Sequence, residues 1–129
     1  MCIFCSIING ELPSNVVYQD DKVIAILDLA QATKGHTLVM PKKHYDNIFD
    51  VDEETLKQMI VVCKKLSKQL VDNLHADGLN IVNNNGQQAG QAIEHIHFHL
   101  IPRYKDDDYL IKGQEHKYDL KEVLKIVKG

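Results

Sequence analysis

The stretch His95-Ile96-His97-Phe98-His99-Leu100-Ile101 constrains this chain more than any other. Three histidines occupy every second position, with apolar residues between them. In an extended strand successive side chains point to opposite faces. The three imidazoles therefore share one face, and Ile96, Phe98 and Leu100 share the other. At a rise of about 3.3 Å per residue, neighbouring histidines stand about 6.6 Å apart and the outer two about 13 Å apart. The plainest reading is a half-buried strand whose polar face happens to be histidine, but three histidines in strict alternation, out of seven in the chain, argue for more. Such a row can meet an extended polyanion, hold a metal, or supply a nucleophile with neighbours.

The rest of the sequence supplies the core. Phe4 to Ile8 reads as a short, apolar, helical turn closed by Asn9-Gly10. Val16-Val17-Tyr18 and Val23 to Leu27 read as two strands of a hairpin across Asp20-Asp21. His36 to Met40 is a third strand, stopped by Pro41. Asp50 with Glu53 three residues on resembles a capping box. It opens a long amphipathic helix whose apolar stripe runs Leu56, Met59, Ile60, Cys63, Leu66, Leu70 and Leu74. Cys63 belongs to that stripe as a core residue. Gly78 closes the helix region, Leu79 to Val82 is a fourth strand, and the histidine stretch is the fifth, stopped by Pro102. A polar, flexible tail runs through Asp106-Asp107-Asp108, and Asp119 to Val127 forms a last short amphipathic helix. Strands joined by short turns around one long helix argue an α+β domain with an antiparallel sheet. The 129 residues contain no repeat or linker, so residues 1–129 form a single domain. A sheet of five strands leaves open edges, which suits pairing with a second copy.

A net charge of −3 excludes a nucleic-acid partner held by bulk positive charge. No apolar run reaches the length of a membrane span, so no membrane partner is expected. Met1 to Cys5 lacks the basic region of a signal peptide, and the expected location is cytoplasmic. In a reducing compartment Cys2-x-x-Cys5 reads as metal-binding or redox-active. A redox pair needs a strand-to-helix turn, which the extreme N-terminus does not offer. Half of a structural zinc site fits, with His44 and His95 as candidates to complete it; two free thiols are the alternative.

As an enzyme site, the histidine row points to attack on phosphorus. Imidazole is basic near neutral pH without being fully protonated, and a phosphorus–nitrogen intermediate splits one hard step into two. His97, with a histidine on each side, is best placed as the nucleophile. Asn84, Gln91 and the backbone amides around Gly86 and Gly90 are nearby donors for phosphate oxygens. A catalytic metal on the row fits less well, because one histidine is left unused and no carboxylate shares the strand face.

Taken together, His-φ-His-φ-His-φ-φ (φ apolar), Asp28 followed by His36, the run Gly35 to His44, and Asn84 with Gly86, Gly90 and Gln91 resemble the histidine-triad (HIT) family of nucleotide hydrolases and transferases. The resemblance extends from Ile3-Phe4 to Arg103. It implies a five-stranded antiparallel sheet with one long helix and short terminal helices, and a homodimer whose sheets join into one of ten strands. It implies His97 as the nucleophile toward a purine nucleotide such as AMP, His99 at the phosphate and leaving group, and His36 and His95 assisting. Asn84 and Gln91 align with phosphate-side residues and Asp28 with the carboxylate that binds the ribose hydroxyls. Ile3, Phe4, Ile7, Ile26 and Leu29 align with the apolar walls of the purine pocket. The resemblance also implies Zn2+ on Cys2, Cys5, His44 and His95, as in bacterial-type members. The expected activity is cleavage of AMP-linked phosphoramidates and adenylates through a nucleotidyl-histidine. Hydrolysis of dinucleoside polyphosphates, or nucleotide sensing with vestigial catalysis, are the alternatives. Ala92 stands where some phosphoramidase members carry serine, the family's tryptophan-bearing C-terminus is absent, and Pro102-Arg103 is closer to the dinucleoside-polyphosphate branch and to many bacterial members.

Overall fold

The computed structural model describes residues 2–129. The elements follow in the order α1 (Ile3–Ile8), β1 (Val16–Gln19), β2 (Val23–Leu27), β3 (Thr37–Pro41), α2 (Glu53–Leu74), β4 (Gly78–Asn83), β5 (Phe98–Arg103) and α3 (Leu120–Lys128). The five strands form one antiparallel sheet in the order β1-β2-β3-β5-β4. The α+β architecture read from the sequence is the one observed.

Both faces of the sheet are covered, which explains why β2 is apolar throughout although the sheet is antiparallel. Val23 and Ala25 of β2, Val39 of β3, and Ile96, Phe98 and Leu100 pack under Met59, Val62, Cys63, Leu66 and Leu70 of α2. The opposite residues, Ile24, Ile26, Leu38 and Met40, pack with Phe4 of α1. Alternation along each strand thus feeds two cores, and α1 lies on the face opposite α2.

Several boundaries differ from the sequence expectation. The N-cap of α2 is Asp52, whose side chain accepts from the Thr55 amide. Asp50 instead accepts from the amides of Asp46 and Asn47 and closes the preceding turn. The helix ends at Leu74 on His75, in the left-handed conformation with φ 53°, while Gly78 is already in β4. Ile60 is 44% exposed, and Val62 takes its place in the stripe. His36 precedes β3. Neither proline stops its strand: Pro41 pairs with Val23 and Pro102 with Leu79. Each lies past the point where β3 and β5 stop pairing with one another, so no strand requires its missing N–H. Their carbonyls accept side chains instead, Pro41 from His95 and Pro102 from Thr33. The tail is pinned at Asp107, whose carboxylate accepts two hydrogen bonds from the Arg103 guanidinium and one from the Tyr104 amide, and these hold it well below the usual carboxylate range.

The loop between β2 and β3, which carries Asp28 and His36, is fixed by its own sequence. Gln31 donates to the carbonyls of Asp28 and His36 and accepts from the Gly35 amide. Gly35 sits at φ +95°, and a Cβ there would collide with Leu74 Cδ1 at the end of α2. Gly35→Ala is expected to destabilise the fold by about 1–3 kcal/mol, read as a lower denaturant midpoint at unchanged m-value.

Candidate active site and metal centre

The histidine stretch does not pair as a strand until Phe98. His95 to His97 are irregular, with the Ile96 amide bonded to the Tyr45 carbonyl. The side-chain alternation survives all the same: Ile96, Phe98 and Leu100 enter the α2 core, and the imidazoles take the opposite side.

At one end of the row, His95 is fully buried. Its Nε2–H donates to the Pro41 carbonyl at 2.8 Å, which leaves the Nδ1 lone pair facing outward. Cys2 Sγ lies 3.5 Å from that nitrogen and Cys5 Sγ 3.6 Å. His44 Nδ1 is 3.4 Å from Cys5 Sγ, and His44 Nε2 is oriented by Asp46 at 2.9 Å. The four ligand atoms lie within 4.8 Å of one another. Tetrahedral zinc with the usual Zn–S and Zn–N lengths requires sulfur–nitrogen edges of about 3.5 Å, so the donor set fits Zn2+. Each imidazole is held by an acceptor on its other nitrogen, as metal-ligating histidines are. Both thiols come from α1: Cys2 is its N-cap and Cys5 lies one turn on. Burial and the adjacent Cys2 push the Cys5 thiol up, so a bound ion would displace its proton. Cys63 is a buried core thiol, pushed up to about 12 by burial.

In the middle of the row, His97 Nδ1–H donates to the His95 carbonyl at 2.7 Å. Nε2 therefore carries the lone pair. The Phe4 ring meets His97 edge-on at 5.0 Å. Burial pushes the His97 pKa down, which keeps the imidazole neutral and nucleophilic at pH 7.

The other end is a directed chain. The Ala32 amide donates to His36 Nδ1 at 3.2 Å, so His36 carries its proton on Nε2. Nε2–H donates to His99 Nδ1 at 2.9 Å, with Asp28 Oδ2 3.6 Å away. His99 is left with Nε2–H as a donor. Burial, followed by the neighbouring His97 and His36, pushes His99 down to about 4. An unfolded His99 would titrate at its ordinary 6.5, so between pH 6.5 and about 4 the unfolded chain binds more protons than the folded one. Stability is expected to fall across that window as pH drops, and His99→Gln to flatten that part of the fall in thermal melts recorded at successive pH values.

His97 and His99 open into a cavity of about 280 Å³. Ile3, Phe4 and Ile7 of α1 form one wall and Ile26, Leu27 and Leu38 of the sheet another; Asp28 and Asn84 are its polar members. Leu29 stands at the rim, 91% exposed. Gly90, Ala92 and Ile93 complete the lining. Gln91 does not line the cavity. Its Oε1 accepts from the Gly86 amide and its Nε2 donates to the carbonyls of Asp46 and Ile93. The amides of Gly86 and Gly90 are likewise bonded within the loop, the latter to Gln87, so side chains are left to face a phosphate. Gly90 is in the left-handed region at φ +94°, which favours glycine, and the Asn84 amide lies beside it. Sequence reasoning missed Leu27, Leu38 and Ile93 as lining residues, and Asp46 as the partner of His44. The spacing His44-x-Asp46 was the available signal for the last.

Residues 9–106 match the HIT domain, and the chain belongs to the HIT family. An uncharacterized HIT-like protein of Methanocaldococcus jannaschii is 51% identical over 130 residues, covering 100% of both chains. The crystal structure of a histidine triad nucleotide-binding protein from Candida albicans superposes with a TM-score of 0.87 at 32% identity, over 99% of this chain and 93% of that one. A Zn-bound histidine triad family protein from Mycobacterium smegmatis superposes with a TM-score of 0.81 at 37% identity, over 89% of this chain and 84% of that one. Among the described residues no helix is long and apolar enough to cross a membrane.

Proposed function

We propose that the chain is a purine nucleotide hydrolase that cleaves the bond between the α-phosphate of an AMP-like group and its substituent. The observation that carries this reading is the unprotonated Nε2 of neutral His97, fixed by the His95 carbonyl, at the edge of a cavity with apolar walls and a few polar groups. The base lies between Ile3, Phe4, Ile7, Ile26 and Leu29. Asp28 accepts from the ribose hydroxyls. Asn84 and His99 Nε2–H meet the phosphate oxygens, and Gln91 acts by holding the loop from Gly86 to Gly90. His97 Nε2 attacks phosphorus, the phosphorus–substituent bond breaks, and His99 donates toward the departing atom. Water then adds its hydroxyl to phosphorus, the phosphorus–nitrogen electron pair returns to His97 Nε2, and the remaining proton goes to the departed group. His36 keeps His99 in its donating tautomer. Zn2+ on Cys2, Cys5, His44 and His95 is structural: bound there, it joins α1 to the segments carrying His44 and His95.

A second substrate reading is favoured by Ala92, which lines the cavity without a hydroxyl to protonate a leaving amine. This points to a dinucleoside polyphosphate. Initial rates of the purified protein on an adenosine phosphoramidate and on a diadenosine polyphosphate separate the two. AMP binding with turnover of neither would overturn the hydrolase reading and leave a nucleotide sensor. The family implies a homodimer with a ten-stranded sheet, for which the edge strands β1 and β4 offer unpaired backbone groups. The expected mass in solution, by light scattering, is twice that of the chain. The expected compartment is the cytoplasm.

A further inference from the structure

The metal cluster and the nucleotide cavity share no residue, yet both are built on α1 and on the histidine stretch. Helix α1 presents Cys2 and Cys5 to one site and Ile3, Phe4 and Ile7 to the other. It has six residues, too few for a helix to be stable on its own, so what fixes it to the body fixes the cavity wall. The Phe4 ring touches both a ligand and the nucleophile, with centroids 5.9 Å from His95 and 5.0 Å from His97. His95 joins the two more directly still. Its Nδ1 faces the thiols, while its carbonyl accepts the His97 proton at 2.7 Å. A shallow cleft beside the cluster, lined by Cys2 and His44, also shares Ile3, Ala92 and Ile93 with the cavity.

We propose that metal occupancy of Cys2, Cys5, His44 and His95 and nucleotide occupancy of the cavity are coupled, each strengthening the other. The inference rests on the reading of the cavity as a nucleotide site. An ion on the four ligands clamps α1 and the His95 ring. That sets the Phe4 wall and the carbonyl that holds His97 in its Nδ1–H tautomer. Without the ion, the Cys2 and Cys5 thiols keep only weak hydrogen bonds to His95 and His44 in place of metal bonds, and a nucleotide must complete the ordering of α1 on binding. Linkage makes the effect reciprocal: whatever factor the ion adds to nucleotide affinity, the nucleotide adds to ion affinity. His95 is then a positioning residue, acting on the chemistry through His97. The arrangement makes nucleotide handling responsive to the availability of zinc.

The test uses the full chain, with Zn2+ and AMP as probes. AMP binding is measured by calorimetry on zinc-loaded and zinc-free protein, and zinc binding by competition with a chromophoric chelator with and without saturating AMP. The expected result is an AMP affinity about 5–150-fold tighter in the loaded form, and a zinc affinity raised by AMP by the same factor. The His97 imidazole 15N signals should report a single Nδ1–H tautomer in the loaded form and a mixture in the zinc-free form. His44→Ala removes a ligand that does not line the nucleotide cavity; its AMP affinity should fall to the zinc-free value at zinc levels that load the natural chain and recover at higher zinc. Should the zinc-free chain unfold, the rate of zinc release from loaded protein replaces the first comparison, with AMP expected to slow it. AMP affinities within about twofold between the two forms, or zinc release indifferent to AMP, would overturn the coupling while leaving the nucleotide site standing. Failure to bind Zn2+ overturns it as well. AMP binding to neither form overturns the nucleotide reading itself, and the coupling with it.

Discussion

Replacing His97 with Ala is expected to lower turnover by about 10⁴-fold or more, while the affinity for AMP stays within about fivefold. The asymmetry follows from the geometry. His97 offers one nitrogen to the cavity, and the other is held by the His95 carbonyl. The apolar walls, Asp28 and Asn84 belong to other elements and survive the change. Only bond-making to phosphorus depends on the missing lone pair. His97→Asn, closer in shape and able to donate to the same carbonyl, should be as inactive as the Ala variant, which separates loss of the nucleophile from loss of packing. Mass spectrometry of quenched reactions should show a nucleotidyl adduct in the natural chain and none in either variant. Turnover retained in both would sink the mechanism.

Met59→Ala is expected to destabilise the fold by about 3 kcal/mol and to lower the melting temperature by about 10 °C. Met59 is fully buried between α2 and the sheet, within the cluster that holds Val39, Ile96 and Phe98. Its truncation removes apolar contacts and leaves a void that neighbours on a rigid sheet fill only in part. Ile60, its neighbour in sequence, is 44% exposed, and Ile60→Ala is expected to cost less than about 1 kcal/mol. The pair of melts tests which residues of the apolar stripe face the sheet.

That pair also shows what the sequence could and could not convey. Periodicity located α2 because burial of one face imposes it, whereas β2 and β3, buried on both faces, stood out as short apolar runs between turn residues. It did not distinguish Ile60 from Val62, because the stripe on a helix of 22 residues drifts and the sheet decides where it is covered. Alternation told correctly which way His95, His97 and His99 face, yet it carries no information on backbone pairing, so β5 begins three residues later than the pattern suggested. Two aspartates stand near the start of α2, and only the backbone path selects Asp52 as the cap over Asp50. The four metal-ligand candidates, drawn from residues 2, 5, 44 and 95, converge in space, since cysteine and histidine are rare enough to be noticed singly. Gln91 was legible as a site-adjacent residue but not as a brace, because its partners Gly86, Asp46 and Ile93 meet it only when the loop closes.

The directed chain from the Ala32 amide through His36 to His99 has one more consequence. Two imidazoles whose ring centroids are 4.9 Å apart present opposite characters to a ligand, a proton at His99 and an electron pair at His97. An anionic oxygen is welcome at the first and repelled at the second. A phosphate entering the cavity therefore meets a handed surface, able to hold it one way round, with its oxygens toward His99 and its electrophilic face toward His97. The backbone amide of Ala32, which only a proline there would remove, sets the His99 half of that handedness from outside the cavity, and the His95 carbonyl sets the His97 half. The site would thus sort the two orientations of a nucleotide before any bond is made.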